Sequence, residues 1–190
     1  MACGAIARHV REVAVRRAWP VDVHVLPPLL HNRPERIAAA VEARVVELRA
    51  DYATVAVGYA ECGTSGVLDA VCARLGVPRL PGAHCYDLFA GERRLQELLA
   101  AEPGTYLLTD WLAANVDRAV VTELGLDRHP ELRDAYFGHY RRVVWLAQHP
   151  TPRLRAAAER AAAVLGLPLE TIVVGDALLE EALTQLLRWS

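Results

Sequence analysis

The 190 residues, 53% of them apolar and with a formal charge of −2, suffice to close a substantial core and carry no field that would steer the molecule to nucleic acid or an anionic membrane. All 21 non-histidine basic residues are arginine, which excludes Schiff-base chemistry, a lysine general base and the lysine of a P-loop. No apolar run approaches the ~20 residues of a membrane-spanning helix, and an arginine-bearing helical pattern follows Cys3 where a signal-peptide core would stand. A soluble cytoplasmic chain is the expectation, and in that compartment its four cysteines are reduced thiols rather than a disulfide framework.

In chain order, apolar periodicity predicts a helix over 4–18, a strand over 21–25, a helix over 34–49, a strand over 53–58 and a helix over 65–75. The stretch 77–92 opens with two prolines, then has room for a short helix, and reads as a loop closing over a pocket. A helix over 93–101, a strand over 105–108, helices over 110–123 and 130–139, a strand over 142–147, a helix over 152–165, a strand over 170–174 and a helix over 177–188 complete the pattern. Short apolar runs between Gly and Pro suit strands buried on both faces. The alternation predicts one α/β domain over 1–190, layered, with a mostly parallel sheet of about five strands and helices on both faces.

In open parallel sheets the ligand crevice lies beyond the carboxyl ends of the strands, and three cysteines fall there. Cys62 follows the strand 53–58 in YAECGTSG, and Cys85 sits between glycines in GAHCYDLFAG. Cys3 precedes a helix whose free N–H groups and dipole favour a thiolate. Cys72 differs: it lies inside the helix 65–75 on the stripe of Leu68 and Leu75, where a small apolar thiol is good packing. Three thiolates with one vacancy suit a zinc ion with an open fourth position or a [4Fe-4S] cluster. The ordinary alternative is three buried, inert thiols, because no CxxC pair is present.

Other polar groups collect at the same edge. His31, His84 and Glu61 are candidates to move protons. The turn of Gly63, Thr64, Ser65 and Gly66 is a candidate nest for an anionic end of a substrate. Thr109 and Asp110 close the strand 105–108, and Tyr136, His139 and Tyr140 share one helical face; these are candidate substrate contacts. Each has a structural reading too: capping for Thr109 and Asp110, the approach to a helix for His31, core packing for the tyrosines.

The blocks ACGAIA, LLHNRPE, YAECGTSG, GAHCYDLFAG, EPGTYLLTDWLA and LDRHPELRDAYFGHY, in this order, resemble the family catalogued as domain of unknown function 1638, over nearly the whole chain. The resemblance implies a shared site at Cys3, Cys62 and Cys85, with no counterpart for Cys72. Members commonly stand beside corrinoid proteins and methyltransferases, which implies one-carbon or sulfur chemistry and such a protein as partner. Relatives usually carry a few apolar residues before the first cysteine, forming a strand; this chain begins Met1-Ala2-Cys3, and a missing strand would leave Cys3 mobile.

The leading expectation is a metal-dependent enzyme that acts on a small molecule at the three-cysteine site, with zinc or a [4Fe-4S] cluster as Lewis acid or thiol activator. A second is a metal or corrinoid accessory that hands on its cargo. A third is metal-free catalysis by Cys85 with His84 or His31 as base. Trp189 near the C-terminus points to a packed tail or to a contact for a homodimer.

Overall fold

In the computed structural model, which describes residues 1–188, the chain forms two compact units. One comprises Met1–Leu88 with the segment from Asp176 onward; the other is Phe89–Gly175.

The first unit contains β1 (Ala2–Cys3), α1 (Ala7–Arg16), β2 (Val25–Leu26), α2 (Ile37–Leu48), α3 (Val67–Leu75), the start of α4 (Cys85–Ala90) and, after the second unit, α9 (Ala177–Arg188). β1 lies parallel to β2, with Ala2 opposite Val25 and Cys3 opposite Leu26. On its other side Ala2 bridges Gly58, and Val57 in turn bridges Arg79, both in parallel. Four extended segments therefore run side by side, with β1 between β2 and residues 57–58, and residue 79 beyond them. Two glycines allow β1 to sit so close. A Cβ at Gly58 would come within 2.9 Å of the Met1 carbonyl, and one at Gly4 within 2.7 Å of the Leu26 carbonyl.

Around this ladder the helices bury faces at helical spacing. α2 buries Ile37, Val41, Val45 and Leu48, and α9 buries Leu179, Ala182, Leu183 and Leu186. Arg16 at the end of α1 bonds to Asp176 and Glu180, tying α1 to α9.

The second unit contains α5 (Glu92–Ala101), β3 (Thr105–Leu108), α6 (Asp110–Val116), α7 (Arg133–Phe137), β4 (Arg142–Ala147), α8 (Pro152–Leu165) and β5 (Leu169–Val173). Its sheet has the order β3-β4-β5 with both pairings parallel. The central β4 is buried from Val143 to Ala147 without a break, as a parallel strand covered on both faces must be. α8 starts on the Thr151 side chain, which accepts from the Leu154 N–H at 3.2 Å, and stops at Gly166 with a left-handed φ of 73°.

The single layered sheet of about five strands expected from periodicity is thus replaced by two parallel sheets, of two and three strands. The strand expected over 21–25 survives only as Val25–Leu26, and that over 53–58 only as the bridges at Val57 and Gly58. Among the described residues no helix is long and apolar enough to cross a membrane. Trp189 lies outside the described residues.

Candidate functional site

Each of the four parallel segments of the first unit delivers one soft or borderline donor from its carboxyl end. β1 ends on Cys3. The segment through Val57 and Gly58 continues to Cys62, held beside its neighbour by Glu61 N–H to Gly82 carbonyl at 3.0 Å and Cys62 N–H to Ala83 carbonyl at 2.7 Å. That neighbour then turns into α4, whose first residue is Cys85. β2 leads into a 3-10 turn, Pro28–Asn32, which carries His31.

Cys3 is 1% exposed and Cys62 8%, while Cys85 keeps some surface with its sulfur turned inward. Burial pushes all three thiols above their ordinary pKa. For Cys62 the charge of Cys3 adds to burial and the value is pushed up to about 12; Cys85 is raised by burial, then by Cys62 and Cys3. Cys62 and Cys85 thus each feel the charge of Cys3 across a low-dielectric interior, where neighbouring thiolates raise one another's cost. At least one separation among the three sulfurs exceeds 4.8 Å, since no group of three donors drawn from them lies within that limit. A tetrahedral zinc with Zn–S of about 2.3 Å sets its sulfurs about 3.8 Å apart, so a single ion has to draw this triangle inward. The several irons of a cluster span a wider one.

Cys62 is held at a φ of 55° and is followed by left-handed residues at Gly63, Ser65 and Gly66. A non-glycine residue in that region costs about 1–3 kcal/mol and persists where the surroundings enforce it. The enforcing group is Glu61. Its carboxylate accepts from Gly63 N–H at 2.8 Å, Thr64 Oγ1–H at 2.6 Å and Gly66 N–H at 3.0 Å.

The Cys3 sulfur has the richest surroundings of the three. His31 Nε2 lies 2.8 Å from it, and the Ala5 N–H donates to it at 3.4 Å. Tyr59 is fully buried and stacked on the His31 ring, with centroids 6.2 Å apart and planes at 28°. Its hydroxyl faces the Cys3 sulfur and is raised in pKa by burial first and then by Cys3, yet it has no completed hydrogen bond. Burial, with His84 second, lowers the His31 pKa and keeps the imidazole neutral at neutral pH. Cys3 and His31 thus form a hydrogen-bonded pair whose direction follows the imidazole tautomer.

A sequence profile described as protein of unknown function (DUF1638) matches residues 25–183. The chain belongs to this family. No curated protein and no solved structure matches it. The span matched to DUF1638 contains His31, Tyr59, Cys62 and Cys85, and Cys3 stands ahead of it.

The remaining candidates of this DUF1638 chain are placed as follows. The nest of Gly63, Thr64, Ser65 and Gly66 is filled from within by Glu61, so its N–H groups at Gly63 and Gly66 are engaged and do not await a substrate anion. The same bonds, Thr64 first, hold Glu61 below the usual carboxylate range. It acts here as an acceptor that shapes a loop, not as a base poised near neutrality. His84 is exposed, and its backbone N–H, with that of Ala83, is capped by Asp87 Oδ2 at 2.9 Å. Its charge is felt by His31.

Thr109 caps α6, accepting from the Leu112 N–H at 3.2 Å. Asp110 is buried and accepts from Trp145 Nε1–H at 2.9 Å, Gln148 N–H at 3.1 Å and His149 N–H at 2.8 Å. Tyr140 packs edge-on against Tyr106, which meets Phe137 in the same way, and the half-exposed Tyr136 leans on Phe137. These four candidates, with His139, whose ring lies against Tyr140 at 4.3 Å between centroids, belong to the second unit and are engaged within it. Cys72 is buried on α3, and the charges that bear on it are those of Arg79 and Asp69, not of the other thiols.

Tyr59 is the pocket residue that sequence reasoning passed over. An aromatic ending a short apolar strand reads as core, and only its place three residues before Cys62 hints at more. Cys3, feared mobile, is paired on both sides of β1: its N–H bonds to the Gly58 carbonyl at 3.0 Å, and Leu26 lies opposite it in β2.

Proposed function

We propose that the first unit is a metal–thiolate centre acting on a small molecule, in which Cys3, Cys62 and Cys85 hold a [4Fe-4S] cluster or, less well matched to their spacing, a zinc ion. One observation carries the reading: three thiols at the carboxyl ends of adjacent parallel segments, Cys3 and Cys62 buried and Cys85 half-buried, with an imidazole 2.8 Å from one of them and a phenol without a hydrogen-bond partner beside it. A metal would supply Lewis acidity or thiol activation. The chain's own residues perform the rest. The thiols shed their protons on ligation, Glu61 fixes the loop that presents Cys62, and His31 and Tyr59 hold Cys3. One-carbon or sulfur compounds are the substrates to try first, and a corrinoid protein or methyltransferase is the partner to try; release of the metal to such a partner would make this a carrier and not an enzyme.

The deciding experiment is elemental analysis with a visible spectrum on protein purified without oxygen, beside a Cys62→Ala variant. Iron and sulfide in the parent and their complete loss in the variant is the expected result. Zinc without colour would move the centre to a single ion, and absence of both metals from anaerobic protein would overturn the proposal.

A second reading, metal-free thiol catalysis, is favoured by the 2.8 Å contact of Cys3 with His31. It relocates the nucleophile from Cys85, since the thiol in contact with an imidazole is Cys3. Burial raises that thiol and lowers that imidazole, so the pair rests uncharged and lacks the thiolate such catalysis needs. Cys62→Ala would leave this activity in place.

A further inference from the structure

Resting on the three-thiol reading, we infer that Tyr59 and His31 are positioning residues for one corner of the centre: they donate hydrogen bonds to the Cys3 sulfur once it is a metal-bound thiolate, and so set how firmly and at what potential the metal is held.

The asymmetry of the pocket points there. Side chains bear on the Cys3 sulfur from two directions, His31 and Tyr59, with the Ala5 N–H as a third donor. The groups hydrogen-bonded to Cys62 and Cys85 are backbone ones, at Ala60 and at Cys85 itself. The Tyr59 hydroxyl is wholly buried and aimed at Cys3 without a completed bond. A neutral thiol is a poor acceptor and a thiolate a strong one, so this phenol is oriented toward a partner that ligation creates.

His31 obeys the same logic. Its neutral ring keeps one N–H. Nε2 lies 2.8 Å from the sulfur, and in the tautomer that carries its N–H there the ring donates to a ligated thiolate. Stacking of the two rings makes them one device, since displacing either shifts the other. Partners of this kind around a metal ligand typically change metal affinity by roughly 10–100-fold, and hydrogen bonds to the sulfurs of a cluster tune its potential.

The test uses the full chain, prepared without oxygen, as parent, Tyr59→Phe, His31→Leu and His31→Gln. Each is reconstituted with iron and sulfide for a mediated optical titration of the potential, and separately titrated with zinc against a chromophoric chelator. Tyr59→Phe and His31→Leu are expected to lower the potential and to weaken zinc binding by roughly 10–100-fold, with His31→Gln, which keeps an N–H donor, recovering part of both. Tyr59→Phe preserves the ring and decides the matter if His31→Leu fails to fold by circular dichroism. Parent-like potential and zinc affinity in Tyr59→Phe and His31→Leu would overturn this inference and leave the three-thiol centre standing. A parent chain that takes up neither iron nor zinc would overturn the centre itself.

Discussion

The two units handle polar groups in opposite ways. In the second, Asp110 is buried with three donors converging on its carboxylate, and β4 runs buried between two full neighbours. In the first, the parallel ladder is only one or two residues deep, and three thiols lie at its carboxyl ends beside a buried phenol whose hydroxyl has no hydrogen-bond partner. Around Asp110 all three donors are matched to the carboxylate. In the reading proposed above, the strand end where backbone pairing stops is what suits the first unit to chemistry.

Three substitutions sharpen that contrast. The largest loss is expected from Asp110→Ala, which strands the Trp145, Gln148 and His149 donors; thermal or denaturant unfolding should show about 3–5 kcal/mol of destabilisation. A cost within about 1 kcal/mol would mean water replaces the carboxylate and the second unit is not closed. Gly58→Ala comes next, because its methyl meets the Met1 carbonyl at 2.9 Å and the Ala2 backbone at 3.1 Å. Overpacking of this kind costs about 1–3 kcal/mol, and here it should also lower metal content, since the strand displaced is the one that ends on Cys3. Cys72→Ala is the mildest, about 1 kcal/mol for a buried sulfur, with metal content unchanged; any loss of metal would bring Cys72 into the site and break the distinction between packing thiols and site thiols.

Much of this was legible in the sequence, for identifiable reasons. Helices such as α8 and α9 were read to within a residue or two because their apolar spacing and their punctuation by Thr151, Pro152 and Gly166 are local. The strands of the second unit were legible as continuous apolar runs. The first unit's strands were not, because a run such as VDVHV shows that a segment is extended without showing how many partners it finds. Cys3, Cys62 and Cys85 stood out as a set in the sequence because each lies at a junction between a loop and a helix and outside any amphipathic stripe. The Glu61 clamp was missed: a turn rich in glycine and serine reads as an open nest, and nothing local reveals that the preceding side chain folds back to fill it. His31 was picked as a base on residue type alone; its contact with Cys3, 28 positions away, is a property of the ladder.

The burial of the three sulfurs has a consequence for the life of the empty protein. Oxidants attack the thiolate, and a thiol held protonated in an apolar pocket reacts slowly. With Cys3 only 1% exposed and Cys62 pushed up to about 12, the burial that the proposed centre requires would also shelter its sulfurs from oxidation whenever no metal is bound.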